Sequence, residues 1–379
     1  MTREAIRIAN FSGYLGDRRT AIDEAIAGDR VDVLMGDYLA EITLAALSAA
    51  YQRNPDRGFV DYFVDQLRPH LATVADRGIK VVTNAGGFHP AGLAAALRAE
   101  IAAAGVELRV AHVEGDNILG ELPRLQDLGH RFDNLDGGAP LTDWVATPFA
   151  ANAYLGGWGV AAALRDGADI VVCGRVTDAS LTVGPAAWWH DWAEDDWTAL
   201  AGGVLAGHII ECGAHAVGGN FSGFLDIPHR TTPGFPIAEI AADGTCVITK
   251  HRRDGGAVTA DTVTAQIMYE IQGPVYLNPD VTVHLDHVRV AEIGEDRVEV
   301  AGATGSPPPP TTKVAIFGPV GASVVNTVFV TSPHVEEKIG LIRDQLHLGL
   351  PEGVSLDLTP SAPRPRTPSR SGPRPSHCG

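Results

Sequence analysis

A chain of 379 residues, 45% hydrophobic and 20% charged, has the composition of a globular protein and length enough for two or three domains or one large one. Its formal net charge of −17 repels phosphate backbones and anionic lipid, which argues against nucleic acid and membrane as main partners. Four cysteines without a C-x-x-C pair, an N-terminus that runs straight into a strand, and no apolar run of bilayer length predict a soluble, cytoplasmic protein.

The first half alternates short apolar runs with amphipathic stretches. Strands are predicted at 6–11, 31–36, 79–84, 106–113 and 169–174. Their near-continuous β-branched content fits burial on both faces. Helical spacing joins Tyr62, Phe63, Leu67, Leu71 and Val74, and again Leu93, Leu97 and Ile101, with Pro90 near the start and Gly105 past the end. Strand–helix–strand repetition predicts an α/β fold with a doubly wound, mostly parallel sheet, whose ligands sit at the C-terminal strand ends. From about residue 226 the texture changes. Residues 237–250 read as a hairpin turning at Asp243-Gly244, and 281–290, 297–301 and 313–317 as further strands. The expected organisation is an α/β domain over 1–225, a smaller α+β region over 226–350, and a disordered Ser/Pro/Arg tail over 359–379.

Polar residues follow the apolar runs directly. Behind the first four strands stand Asn10 and Asp17, then Asp37 and Glu41, then Asn84, Gly86, Gly87 and His89, then Glu114, Asp116 and Asn117. Asp37 and Glu41 share a face if a helix starts there, and a carboxylate pair in a cleft does acid–base work. Equally, Asp37 is a helix N-cap and Glu41 a first-turn carboxylate. The NAGG segment aims N–H groups at an anion, or is a strand-to-helix turn needing glycine torsions. After the fifth strand, Arg175 is a clamp for a carboxylate or phosphate; Asp178 is either a base or the partner that orients Arg175. Ser180 has no neighbouring His and lies outside any G-x-S-x-G elbow.

In residues 207–224, His208, Glu211, Cys212 and His215 share one face if 208–215 is helical, with Gly213 a breaking point. That set offers acid–base groups, a thiol nucleophile, a metal site, or simply a buried polar edge. Gly218, Gly219 and Asn220 approach a ligand backbone-first or form a turn. Neither a G-x-G-x-x-G nor a Walker A motif supports a nucleotide cofactor, and no cofactor is assigned.

The segments ANFSGYLGDR (9–18), GDYLAEITL (36–44), VTNAGGFHPAG (82–92), EGDN (114–117), ANAYLGGWGVAAALRDGADIVVCGRVTDASLTVGP (151–185), LAGHIIECGAHAVGGNFSGF (205–224) and GFPIAEI (234–240) resemble, in order, the acyclic terpene utilisation (AtuA-like) family. The resemblance covers most of residues 5–320. It implies a bacterial protein with a role in catabolism of branched isoprenoid-derived acids such as citronellate and geranylate, as coenzyme A thioesters, beside carboxylase, hydratase and dehydrogenase partners, and it implies no settled reaction. His215 departs from a family position where Gln is common, and the family likeness fades after about residue 350.

Three readings follow. The first is a lyase-, hydrolase- or hydratase-like enzyme with Asp37, Asp178, His208 and Glu211 as acid–base groups and Cys212 as nucleophile. Its substrate or anion would be held by Asn10, Asn84, Gly86, Gly87, Arg175, Gly218, Gly219 and Asn220. The second is a non-catalytic acyl-CoA-binding or assembly subunit. The third is a metal-dependent hydrolase centred on His208, Glu211 and His215. A homo-oligomer is expected on general grounds.

Overall fold

The computed structural model describes residues 3–319, 321, 323–351 and 353–361. The tail predicted to be disordered lies outside these from residue 362 onward. In chain order the elements are β1 (Ile6–Ser12), α1 (Ala21–Ala27), β2 (Val33–Gly36), α2 (Glu41–Arg53), α3 (Tyr62–Leu67), α4 (Leu71–Arg77), β3 (Lys80–Thr83), α5 (Pro90–Ala104) and β4 (Val110–Val113). Then come α6 (Leu122–Asp127), β5 (Ala150–Ala153), α7 (Trp158–Arg165), β6 (Ile170–Cys173), α8 (Ser180–His190), α9 (Trp197–Glu211), β7 (Pro236–Ile240), β8 (Cys246–Lys250) and α10 (Ala260–Ile267). Short strands follow: β9 (Val275–Leu277), β10 (Thr282–His284), β11 (Arg289–Gly294), β12 (Arg297–Ala301), β13 (Thr304–Ser306) and β14 (Val314–Phe317), before α11 (Val335–Gly349). The chain divides into two compact units, 1–320 and 321–379. In the second, α11 carries Val335, Ile339, Ile342 and Leu346 at helical spacing.

The fold is the expected α/β one. A nine-stranded sheet runs β11-β12-β8-β7-β1-β2-β3-β6-β4. The five strands β1, β2, β3, β6 and β4 are mutually parallel; β7, β8, β12 and β11 continue the sheet antiparallel beyond β1. A smaller antiparallel sheet holds β13-β10-β9, and β5 pairs with β14. The parallel strands carry apolar residues on both faces because they serve two cores. Ala9, Leu34, Val81, Ile170 and Val172 face α1, α3, α4 and α5; Ile8, Val33, Met35, Val82 and Val171 face α7, α8 and α9.

Two predicted elements are interrupted. The 62–74 helix breaks into α3, a 3₁₀ turn Arg68–His70 and α4, because Pro69 has no N–H to continue the ladder. The 281–290 strand is two strands. A turn in which the Val288 N–H donates to Leu285 O (3.0 Å) takes the chain from the small sheet to the edge of the large one.

Helix α9 is buried along nearly its whole length. It fits because its glycines admit other backbones. A Cβ on Gly207 would lie 2.5 Å from Ala179 O, and one on Gly202 would lie 2.1 Å from Gly244 O. Gly207→Ala is therefore expected to cost about 1–3 kcal/mol of stability through overpacking. Gly120, whose Cβ would meet nothing within 4 Å, is the control: Gly120→Ala should stay within ~0.5 kcal/mol. Denaturant midpoints of both variants decide it; equal midpoints would contradict the packing argument.

Buried His251 accepts the Asp29 N–H at Nδ1 (2.8 Å), and burial pushes its pKa down to about 4. Below the unfolded value near 6.5 the unfolded chain takes a proton that the folded chain refuses. Stability should thus fall as pH drops from about 6.5 to 4, by roughly 2–3 kcal/mol after allowance for solvent screening. In His251→Gln that contribution to the pH slope of the unfolding free energy should vanish.

Candidate functional site

Parallel strands deliver their C-terminal loops to one edge, and here each brings a polar group. Asn10 and Ser12 end β1, Asp37 follows β2, Asn84 follows β3, Asp116 follows β4, and Arg175 and Asp178 follow β6. A register shift between Asn10 and Ser12 kinks the end of β1 at this edge. The last turn of α9 adds His208 and Glu211 from the other layer. It comes this close because Gly13 and Gly213 have no side chains: a Cβ on Gly13 would sit 2.4 Å from the Gly213 nitrogen. Asn10 seals the junction, donating through Nδ2 to Glu211 O at 3.2 Å.

Asp37 is buried and is not a helix cap. Helix α2 begins at Glu41 with Ala40 in the N-cap position, so Asp37 lies in the preceding loop and shares no helix face with Glu41. Asn84 Nδ2 donates to Asp37 Oδ1 (2.6 Å), and Asn84 Oδ1 accepts the Tyr38 N–H (2.7 Å). Burial, then the Asp178 charge, pushes the Asp37 carboxyl well above its usual range, against the pull of Arg175 and Asn84. Glu41 belongs elsewhere. Burial opposes its ionisation, but bonds from Tyr154 and Lys313 hold it down to about 2.

Arg175 is 3% exposed. Its Nη1 donates to Leu39 O (2.5 Å) and lies 2.9 Å from Asp178 Oδ1, an ion pair whose alignment falls short of a hydrogen bond. The guanidinium lies 4.1 Å from the centre of the Tyr154 ring, and Lys313 Nζ lies 4.2 Å from the same centre. Burial disfavours the cation, yet Asp178 and its neighbours outweigh this and keep it charged. Arg175 Nε has no partner. Asp116 acts as a brace, its Oδ2 accepting from Asn152 Nδ2 and the Arg175 N–H, both at 2.8 Å.

His208 and Glu211 are 1% and 4% exposed. His208 Nε2 faces Gln266 O at 3.0 Å, a carbonyl that can only accept, so Nε2 carries a hydrogen. His208 Nδ1 lies 3.2 Å from Glu211 Oε1, an ion pair whose alignment falls short of a hydrogen bond, and Glu211 Oε2 has no partner. Burial lifts Glu211 to about 7, against the pull of His208 and with the help of the Asp178 and Glu270 charges. For His208, burial works downward, but the adjacent Glu211 carboxylate prevails and raises it. The pair titrates as a unit around neutrality.

The other predicted residues are placed differently. Cys212 follows α9 in the C-cap position, and Gly213 (φ +58°) turns the chain into a 3₁₀ helix, Gly213–Val217, that carries His215 away toward Tyr269. Burial and the adjacent Glu211 charge push the Cys212 thiol up, which keeps it protonated. Among the described residues no three His, Cys, Asp or Glu side chains are grouped to hold a metal ion, so the His208–Glu211–His215 grouping does not form. The N–H groups of Gly87, Gly218 and Gly219 are donated to Asn84 O, His215 O and Ala214 O, and Gly219 and Asn220 are exposed. Gly86 is a glycine because a Cβ would lie 2.4 Å from Cys173 O. Asp17 accepts the Gly13 N–H, Glu114 lies at the surface beside His112, and His89 packs against Tyr51. Ser180 donates to Asp280.

Four neighbours had no local sequence signal: Gln266, Tyr276, Glu270 and Lys313, all from the last third of the chain. The Tyr276 ring lies 5.6 Å from that of His208, and its phenol is pushed up by burial and by the Glu211 and Asp178 charges. Glu270 is exposed, with a left-handed backbone (φ +63°) rare for a residue with a side chain. A concavity of about 630 Å³ lined by Arg7, Asp29, Lys250, Arg252 and Arg297 shares no residue with this cluster. Its cations are matched by Glu239, Asp29 and Asp296.

Among the described residues no helix is long and apolar enough to cross a membrane. Comparison with curated proteins and with solved structures gave no match. The sequence model of the family described as "Acyclic terpene utilisation family protein AtuA" matches residues 6–359. That match spans nearly all of the sheet, the strand-end polar cluster and the α9 segment that completes it, and so the chain belongs to the acyclic terpene utilisation family.

Proposed function

We propose that the protein is an enzyme of acyclic terpene utilisation that moves a proton on a branched isoprenoid-type acid or its coenzyme A thioester, in a lyase-, hydrolase- or hydratase-like step. Family membership supports the pathway. One observation supports the chemistry: the buried His208–Glu211 pair, with Glu211 Oε2 unpartnered and a pKa near neutrality. With a hydrogen fixed on Nε2, Nδ1 and the Glu211 carboxylate, 3.2 Å apart, are the places where the pair can carry a further proton. Such a pair accepts a proton from a carbon or water and returns it elsewhere. Arg175, anchored by Asp178, Leu39 O and Tyr154, is a fixed cation that polarises a carbonyl without rearranging. Asp37 and Asn84 position this loop edge, and Cys212 carries no step.

A non-catalytic acyl-CoA-binding or assembly subunit is the second reading. It is favoured by the closure of the cluster and by exposed apolar residues in the segments following it: Phe224, Leu225, Met268, Val275 and Leu277.

The test is deuterium incorporation from solvent into a geranyl thioester, followed by mass spectrometry. Wild type should exchange or convert it, and Glu211→Gln should lose about 10²–10⁴-fold in rate while keeping its unfolding temperature. A folded wild type that binds the thioester yet neither exchanges nor converts it favours the second reading.

The pH profile is a separate check. When Glu211 works as the base, kcat/KM rises with pH through about 7 as the pair gives up its proton. Glu211→Asp should retain a rising limb, and Glu211→Gln should flatten it.

A further inference from the structure

Helix α11 is 15 residues long, and none of them is buried. Its apolar residues nevertheless form a seam. Val335, Ile339, Ile342 and Leu346 are spaced four, three and four apart, the interval that keeps one stripe turned toward a partner helix. Val335 and Leu346 are exposed, and Ile339 and Ile342 are half-buried. Leu341 and Leu348 lie roughly two-fifths of a turn away from this stripe.

The charges beside the seam say what fits it. Glu336 and Arg343, both exposed, flank it on one side, and Lys338 and Gln345 on the other. A second α11 laid antiparallel would set Val335 against Leu346 and Ile339 against Ile342 of the second copy. Like flanks then meet, so that Glu336 of each copy faces Arg343 of the other, and Lys338 faces Gln345. A parallel copy would instead bring Lys338 against Arg343, cation on cation, on both sides of the dimer. Antiparallel packing also puts each helix's positive end beside the other's negative end. Glu336, Glu337 and Asp344 stand against Lys338 and Arg343, so the helix is close to neutral and the chain's net charge of −17 is not concentrated on this surface.

We propose that α11 is a self-association surface, on which a second copy of this chain docks its own α11 antiparallel along Val335, Ile339, Ile342 and Leu346, with reciprocal Glu336–Arg343 pairs fixing the direction. Two heptads bury less area than a standard stable interface, so monomer and dimer coexist at micromolar concentration.

The experiment is sedimentation velocity on the full chain from about 1 to 100 µM, at about 150 mM salt so that only close charge pairs count. Wild type should pass from monomer to dimer across that range. Ile342→Glu should abolish the dimer, and Leu341→Ser, off the seam, should leave its dissociation constant within about twofold. Glu336→Arg and Arg343→Glu should each weaken association at least about tenfold, because each then sets like charges face to face. An equimolar mixture of these two variants should dimerise as wild type does, since every flanking charge again meets its opposite; that recovery also shows that both variants are folded. A wild type that stays monomeric at about 100 µM overturns the proposal. So does a dimer that both charge variants leave intact, which puts the contact elsewhere. Tighter association of Arg343→Glu alone overturns the antiparallel arrangement, because only a parallel pair would gain a Lys338–Glu contact from it.

Discussion

Backbone touching backbone governs this molecule's chemistry. Helix α9 seats its last turn at the end of β1 only because Gly13 meets Gly213 and Gly207 meets Ala179 without side chains between them. Any Cβ at these contacts would push the helix outward. His208 and Glu211 would then be hydrated, their pKa values would relax toward those of exposed groups, and Asn10 would lose its bond to Glu211 O. The electrostatics of the site therefore follow from steric permission some residues away. The small residues of the 205–224 segment read better as packing devices than as ligand cradles.

The same edge shows why buried polar groups come in sets. Asp37 has Asn84 and the Leu39 N–H, Asp116 has Asn152 and the Arg175 N–H, and Arg175 has Leu39 O, Asp178 and the Tyr154 face. Each set satisfies one member almost fully and leaves few valences open. At this edge Glu211 Oε2, His208 Nδ1, Arg175 Nε, Asp178 Oδ1, Asn152 Oδ1 and Asn10 Oδ1 are buried without hydrogen-bond partners. Each such open valence costs on the order of 1–3 kcal/mol.

Much of this was legible in the chain. Runs such as IKVVTN and DIVVCG announce strands buried on both faces, and the five parallel strands appear where such runs occur. Strand β5 was missed because Ala150–Ala153 is alanine-rich and lacks the β-branched residues that mark a strand; its pairing with β14 comes from far along the chain. At the site, Asp37, Asn84, Arg175 and Asp178 were visible because each ends or closely follows a predicted strand, and His208 and Glu211 because their spacing puts them on one face if 208–215 is helical. Gln266, Tyr276 and Lys313 were not. They reach the cluster by tertiary routes, and nothing in a local window distinguishes Tyr276 from any other half-buried aromatic. Cys212 and His215 looked equivalent to their neighbours until Gly213 took a left-handed turn and separated them.

Strand β1 lies in the middle of the sheet, with β2 on one side and β7 on the other. It ends at Ser12, whereas β7 begins only at Pro236. At ordinary elongation rates of about 5–20 residues per second, its second edge stays unpaired for on the order of ten to forty-five seconds. During that interval a run of apolar residues offers free hydrogen-bonding groups to any passing strand. Until β7 is made that edge is open to wrong pairing, so rapid synthesis of the residues between Ser12 and Ile240 shortens the period in which this protein is most vulnerable to misassembly.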